Sequence, residues 1–235
     1  MAQVDFNERQ LTVKLVYFGP PLSGKTTNLR ALHGRVDALN RGRLMTLETK
    51  DDRTLFFDLL PIFFRTNGLS FRIKVYTVPG QPMHEATRRV VLQGADGIVF
   101  VAHSAPAHRQ ENRESWSGLG RNLSELGLRV PVVVQYNKRD LDGCVDLADS
   151  DHFDDPARPL YPASAVTGQG VLPTFFAALG AAWDALDPAF KLSQRFGVDR
   201  GEFMRQVCAH VGGDERDNHN EGITEHLLRA HSKPG

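Results

Sequence analysis

The sequence predicts an α/β protein: a mostly parallel sheet with helices on both faces, followed by a C-terminal helical appendage. Three observations carry this. Apolar, β-branched runs alternate with amphipathic stretches across residues 11–186. A glycine-rich loop, GPPLSGKT, joins the first apolar run to the first helical stretch. After Asp187-Pro188 the alternation stops.

Residues 11–18 (LTVKLVYF) read as a buried strand and 27–39 as a helix. Residues 55–64 and 71–78 read as two strands, and the turn signal RTNGLS between them makes an antiparallel hairpin. A helix is expected over 86–92, a buried strand over 97–102 (GIVFVA) and a polar, Arg- and Glu-rich helix over 109–126. Then come a strand over 130–136 (VPVVVQY), a short strand over 160–163 and an amphipathic helix over 171–186. Residues 1–187 therefore make one domain and 188–235 an appendage. In the appendage, Asp199 and Glu202 suit a helix start. Phe203, Val207 and Val211 recur one turn apart, with Gly212 as a stop and a weaker helix near 223–229. That apolar stripe is too small to bury itself alone, so it should dock on the domain or on a partner.

The 235 residues suffice for one sizeable domain with an appendage. Lys+Arg and Asp+Glu are both 28, so no net charge favours nucleic acid or an anionic membrane. Cys144 and Cys208 form no CxxC pair, which fits a reducing, cytoplasmic setting. The polar start is no secretory signal, and no apolar run approaches the roughly 20 residues that span a bilayer. Ala2 and the ending HSKPG offer no obvious site for a lipid anchor. The tail histidines His210, His219, His226 and His231 match no zinc-finger spacing and read as solvated side chains.

Gly19 to Thr26 fit G-x-x-x-x-G-K-[ST], between a strand and a helix as that motif requires. In such a loop, successive backbone N–H groups and the helix N-terminus hold phosphate oxygens. Gly19, Leu22, Ser23, Gly24, Lys25, Thr26 and Thr27 are the candidates. Lys25 should reach the β- and γ-phosphates, and the Thr26 hydroxyl should ligate Mg²⁺. The bland alternative is a glycine-rich turn with an exposed lysine.

Asn137-Lys138-Arg139-Asp140 closes a buried strand. A carboxylate at Asp140 can accept from N1–H and the 2-amino group of guanine, a donor pair that adenine lacks. Asn137 can bridge the base and phosphate loops, and the Lys138 stem can cover the base. Ser164-Ala165-Val166 can supply a backbone N–H to guanine O6. A solvated charged turn is the alternative, and the order of the three motifs argues against it.

The segments GPPLSGKTTNLRALH, LETKDDRTLFFDLLP, VYTVPGQ, GADGIVFVAHS, VVVQYNKRDL and SAVTGQGV together resemble the MglA family of bacterial Ras-like small GTPases. The resemblance covers about residues 11–186. It implies a Ras-like P-loop fold, GTP/GDP and Mg²⁺ as ligands, and GTP hydrolysis. It also implies a role in cell polarity or gliding motility, with downstream effectors of that kind, and a Roadblock-type, MglB-like activating partner. By resemblance, Arg53 is a built-in arginine finger and Thr54 meets Mg²⁺ and the γ-phosphate. Gln81 orients the attacking water, beside Gly80 at the γ-phosphate. Two residues depart from the pattern or constrain it: Pro21 stands where the family has glycine, and Pro82 biases Gln81 away from helical angles. Both bear on hydrolysis and neither on guanine recognition, so a GTP-bound scaffold with little turnover is the alternative reading.

Thr77 stands where many such proteins carry a magnesium aspartate, and T-V-P-G-Q is the family's own form. Asp58, inside the apolar run LFFDLLP, is the candidate replacement. In a regular strand Thr54 and Asp58 would lie ~13 Å apart, too far to meet one ion directly. Either the chain bends after Thr54 or the strand slides between nucleotide states. Otherwise Asp58 serves the hairpin backbone or faces water.

Overall fold

The computed structural model describes residues 3–47, 57–66 and 68–212. The strands are β1 (Gln3–Asp5), β2 (Gln10–Phe18), β3 (Met45–Leu47), β4 (Phe57–Thr66), β5 (Leu69–Thr77), β6 (Gly97–His103), β7 (Val132–Asn137) and β8 (Leu160–Pro162). The helices are α1 (Lys25–Arg35), α2 (Glu85–Leu92), α3 (Arg109–Glu125), α4 (Val171–Phe190), α5 (Leu192–Phe196) and α6 (Arg200–His210). One sheet runs β3-β4-β5-β2-β6-β7-β8, with β1 antiparallel to the start of β2. From β5 to β8 neighbouring strands are parallel; β3 and β4 are antiparallel additions at one side. This mixed sheet, mostly parallel and helix-covered, is the Ras-like arrangement.

Strand β2 shows why its last four residues, Leu15, Val16, Tyr17 and Phe18, are all hydrophobic. Leu15 and Tyr17 join the core under α1, α4 and α6, whereas Val16 and Phe18 join the core under α2 and α3. Successive side chains leave opposite faces, so a strand covered on both sides needs both to be apolar. Strand β5 is covered on one face and alternates instead, burying Phe71, Ile73 and Val75 while Arg72 is exposed. The hairpin pairs Thr66 with Leu69, and Gly68 takes φ 72° at the turn. Both strands thus run further into RTNGLS than its composition suggests.

Three expectations change. Helix α1 ends at Arg35, short of residue 39, because Val36 is extended and bridges Val211. The Asp37 N–H donates to His210 O and the Gly212 N–H to Arg35 O, so the C-terminal arm takes over those backbone groups. Helix α4 continues through Pro188 to Phe190 rather than stopping at 186. It ends at Lys191, whose φ is 53° and whose N–H donates to Asp187 O. The Asp187 carboxylate accepts from the Ser193 N–H and hydroxyl, which turns the chain into α5. A division at 187/188 therefore falls inside a helix. Residues Phe196, Phe203, Val207 and Val211 share the main core, with Phe203 stacked on Trp183 at 4.4 Å between ring centres. The Asp199 side chain does accept from the Glu202 N–H at 2.8 Å and starts α6. Finally, β1 and β3 have three residues each, too few to show a period in the sequence.

The segment 223–229 lies outside the described residues. Among the described residues no helix is long and apolar enough to cross a membrane.

Candidate functional site

The carboxyl ends of β2, β5, β6, β7 and β8 lie along one edge of the sheet, where ligands of open α/β sheets bind. A cleft of about 590 Å³ opens there, lined by Leu22, Lys25, Thr26, Asp58, Gly80 and Lys138 among others. Thr27 also lines it.

The phosphate loop follows β2 directly. A Cβ on Gly19 would lie 2.3 Å from Val101 O, and one on Gly24 would lie 2.2 Å from Asn137 Nδ2. Both positions therefore demand glycine. Gly24 has φ 96° and caps α1. Leu22 takes φ 57° and projects outward, 83% exposed, while Ser23 is fully buried. Lys25 Nζ donates to Pro20 O at 2.7 Å and Gly19 O at 3.0 Å. Burial pushes its ammonium down to about 7, and the Arg88 charge adds to this. Arg88 itself pairs with Glu85 on the same helix. Gly80 lies flat on the loop: a Cβ there would come 2.4 Å from Pro21 N. Gln81 is exposed and extended, φ −72° and ψ 137°, as a following proline requires.

One end of the cleft is built around Asp58. In the antiparallel register Leu59 faces Tyr76, which sets Asp58 against Thr77; on its other side Asp58 pairs with Thr46. Its carboxylate accepts from Thr26 Oγ1 at 2.6 Å, Thr46 Oγ1 at 2.8 Å and Thr77 Oγ1 at 2.9 Å. The Asp58 N–H donates back to Thr77 Oγ1 at 3.0 Å. Asp58 is 7% exposed, and the hydroxyl donors that surround its carboxylate offset the cost of burying it. The structure thus brings Asp58 to Thr26, the residue whose hydroxyl the motif assigns to the metal. It neither faces water nor serves only the hairpin backbone. Thr46 was not foreseen; its sole signal would have been the pairing of a three-residue strand. Arg53 and Thr54 lie outside the described residues.

The other end is tied together by Asn137. Its Nδ2 donates to Ser23 O at 2.7 Å, and its Oδ1 accepts from the Ala165 N–H at 2.9 Å. The Ser104 hydroxyl, also unforeseen, donates to Asn137 O at 2.7 Å. Lys138 takes φ 67°, and the Cys144 thiol donates to its carbonyl at 3.3 Å. Asp140 sits beside the Ser164 hydroxyl, which holds its carboxyl below the usual range, although the two do not meet in regular hydrogen-bond geometry. Val166 is 78% exposed at the mouth of the same loop.

No protein-family model matches the chain. It is 41% identical over 179 residues, 74% of its length and 92% of the relative's, to the mutual gliding-motility protein MglA of Myxococcus xanthus (strain DK1622).

Proposed function

Because the chain belongs to the MglA family of Ras-like small GTPases, we propose that it is a Mg²⁺-dependent GTP/GDP switch acting in cell polarity or gliding motility. The observation that carries the reading is the Asn137 side chain. It joins the phosphate loop at Ser23 to the loop at Ala165 from the strand that ends in the base motif. Loops from three separate elements are thereby held as one site, as a ligand with a base at one end and phosphates at the other demands.

Asp140 accepts the guanine N1–H and 2-amino protons, and Lys138 covers the base. The backbone of Gly19 to Gly24, with Thr27 beyond it, holds the phosphates. Lys25 gives up its bonds to the Gly19 and Pro20 carbonyls to reach them. Thr26 and Asp58 suit a divalent ion, since a hydroxyl oxygen and a buried carboxylate stand 2.6 Å apart. Bound Mg²⁺ supplies charge neutralisation for phosphoryl transfer. Gln81 orients the attacking water from the rim. Arg53 and Thr54 keep the finger and switch roles that the family resemblance assigns to them. A Roadblock-type, MglB-like partner speeds hydrolysis by ordering these groups, and the protein acts in the cytoplasm.

A second reading, a GTP-bound scaffold with little turnover, is favoured by the close seat of Gly80 on Pro20 and Pro21. The two readings separate in one assay. Nucleotide extracted from the purified protein should be GDP or GTP. Single-turnover hydrolysis should be slow alone and much faster with the partner. Adenine nucleotide in the extract would overturn the guanine reading, and GTP that persists with the partner would favour the scaffold.

A further inference from the structure

Beneath Asn137 lies a second polar layer, none of whose three residues lines the cleft. Gln135 on β7, Asn28 on α1 and Thr174 on α4 are all fully buried. The Gln135 amide donates to Asn28 Oδ1 at 3.0 Å and to Thr174 Oγ1 at 2.9 Å. Neither acceptor ends the chain of bonds. Asn28 Nδ2 donates on to Gly24 O at 3.0 Å, and Thr174 Oγ1 donates on to Gly170 O at 2.7 Å. Gly24 and Gly170 are the left-handed N-cap residues of α1 and α4, with φ 96° and 73°. Gly24 closes the phosphate loop. Gly170 follows the Ser164 to Val166 loop and leaves no room for a side chain, since a Cβ there would meet Pro162 O at 2.0 Å.

The orientation of this hub is determined by its partners. The Asn28 NH₂ must face the Gly24 carbonyl, so its oxygen faces Gln135. Gln135 must then present its own NH₂, and both of its protons are committed to the two helices. Its Oε1 is buried without a protein partner among the described residues. An orphaned buried acceptor is costly, and an apolar residue at this point of a packed strand would avoid that cost. A packing role alone gives no reason for glutamine.

Resting on the guanine-nucleotide reading above, we propose that Gln135, with Asn28 and Thr174, is a positioning group. It sets the distance between the phosphate loop and the base loops. Asn137 ties those loops at the level of the ligand, and Gln135 ties the helix starts behind them. Both residues lie on β7, two positions apart, so their side chains leave the same face of the strand. The ligand bridges the two ends of the cleft, so a change in their spacing strains its base and phosphate contacts together. The effect should appear in the rate at which nucleotide leaves.

The test uses the full chain and release of fluorescent mant-GDP with excess unlabelled GDP. Gln135→Met keeps the volume and removes the donors; Thr174→Val keeps the shape and removes one arm. Each removes two buried hydrogen bonds and should speed release at least about tenfold, the effect of losing one. The pair should be no faster than Gln135→Met alone, because both act through one hub. Thr174→Ser, which keeps the hydroxyl, should restore release to near the wild-type rate. If Gln135→Met does not fold, the comparison of Thr174→Val with Thr174→Ser decides alone. Release at the wild-type rate from folded Thr174→Val, with only a lowered unfolding midpoint, overturns the proposal in favour of plain packing. A wild-type protein that fails to hold mant-GDP at all overturns instead the guanine-nucleotide reading beneath it.

Discussion

At the base end of the cleft, Asn137 meets a backbone carbonyl of one loop and a backbone amide of another, and its own carbonyl accepts from Ser104. At the metal end, Asp58 meets three hydroxyls, from Thr26, Thr46 and Thr77. The base end is assembled from loops that follow the parallel strands β2, β7 and β8. The metal end depends on one side chain from β4, an antiparallel addition next to the sheet's edge strand. Main-chain partners cannot be mutated away and move only with the sheet. Hydroxyl partners can each rotate or be replaced. The base end is therefore the rigid half of the site, and the metal end is the half whose geometry a shift of one strand can change.

The sharpest attack on the rigid half is Asp140→Asn. GTP affinity should fall ~10³-fold, because the base then leaves buried donors unmatched, and xanthosine nucleotides should gain. A titration that finds GTP binding unchanged would remove Asp140 from the base site.

A change remote from both ends tests whether the halves share one scaffold. Phe203 on α6 is fully buried between Trp183 and Phe71. Phe203→Ala should lose ~3–5 kcal/mol of stability, read from denaturant unfolding, while the folded fraction keeps its guanine preference. Removing everything after Asp187 should fare worse. It cuts α4 and strips Phe196, Phe203, Val207 and Val211 from the core.

At the metal end, Asp58→Ala should raise the Mg²⁺ concentration needed to retain GTP ~10–100-fold, with binding recovered in excess Mg²⁺. A folded variant with the wild-type Mg²⁺ requirement would mean that Asp58 serves only to bind the three threonines together.

The smallest effect is in protons. Lys25 has its ammonium pushed down to about 7, whereas Asp140 is held below the ordinary carboxylate range. Bound phosphates favour the charged lysine and raise its pKa again. Nucleotide binding at pH 8 should therefore take up to about one proton, and at pH 6 almost none, with no contribution from Asp140. Calorimetry in two buffers of different ionisation enthalpy measures this. Proton release at pH 8 would contradict it. By the same linkage, the folded value lies below the unfolded 10.5, so the unfolded chain binds more protons between pH 7 and 10. The nucleotide-free protein should accordingly gain stability as pH rises through that window.

Sequence alone determined the phosphate loop, the strand that carries it and the order of the base motifs. Those features are local: adjacent residues set the strand, the turn and the start of the helix. The close approaches that demand glycine at 19 and 24 are tertiary, to Val101 O at 2.3 Å and Asn137 Nδ2 at 2.2 Å. The sequence also pointed to Asp58, because a carboxylate inside an apolar strand must have a partner. Only the tertiary structure decided who the partners are. Thr26, Thr46, Asp58 and Thr77 come from four elements and meet through strand register, which no periodicity encodes. Tertiary structure likewise ended α1 at Arg35, where residue 211 returns to pair with residue 36, and carried α4 past Pro188. Gln135 reads in sequence as one polar residue in a strand. It becomes a hub only when α1 and α4 pack on the same face of β7, because hydrogen-bond partners distant in the chain are chosen by packing.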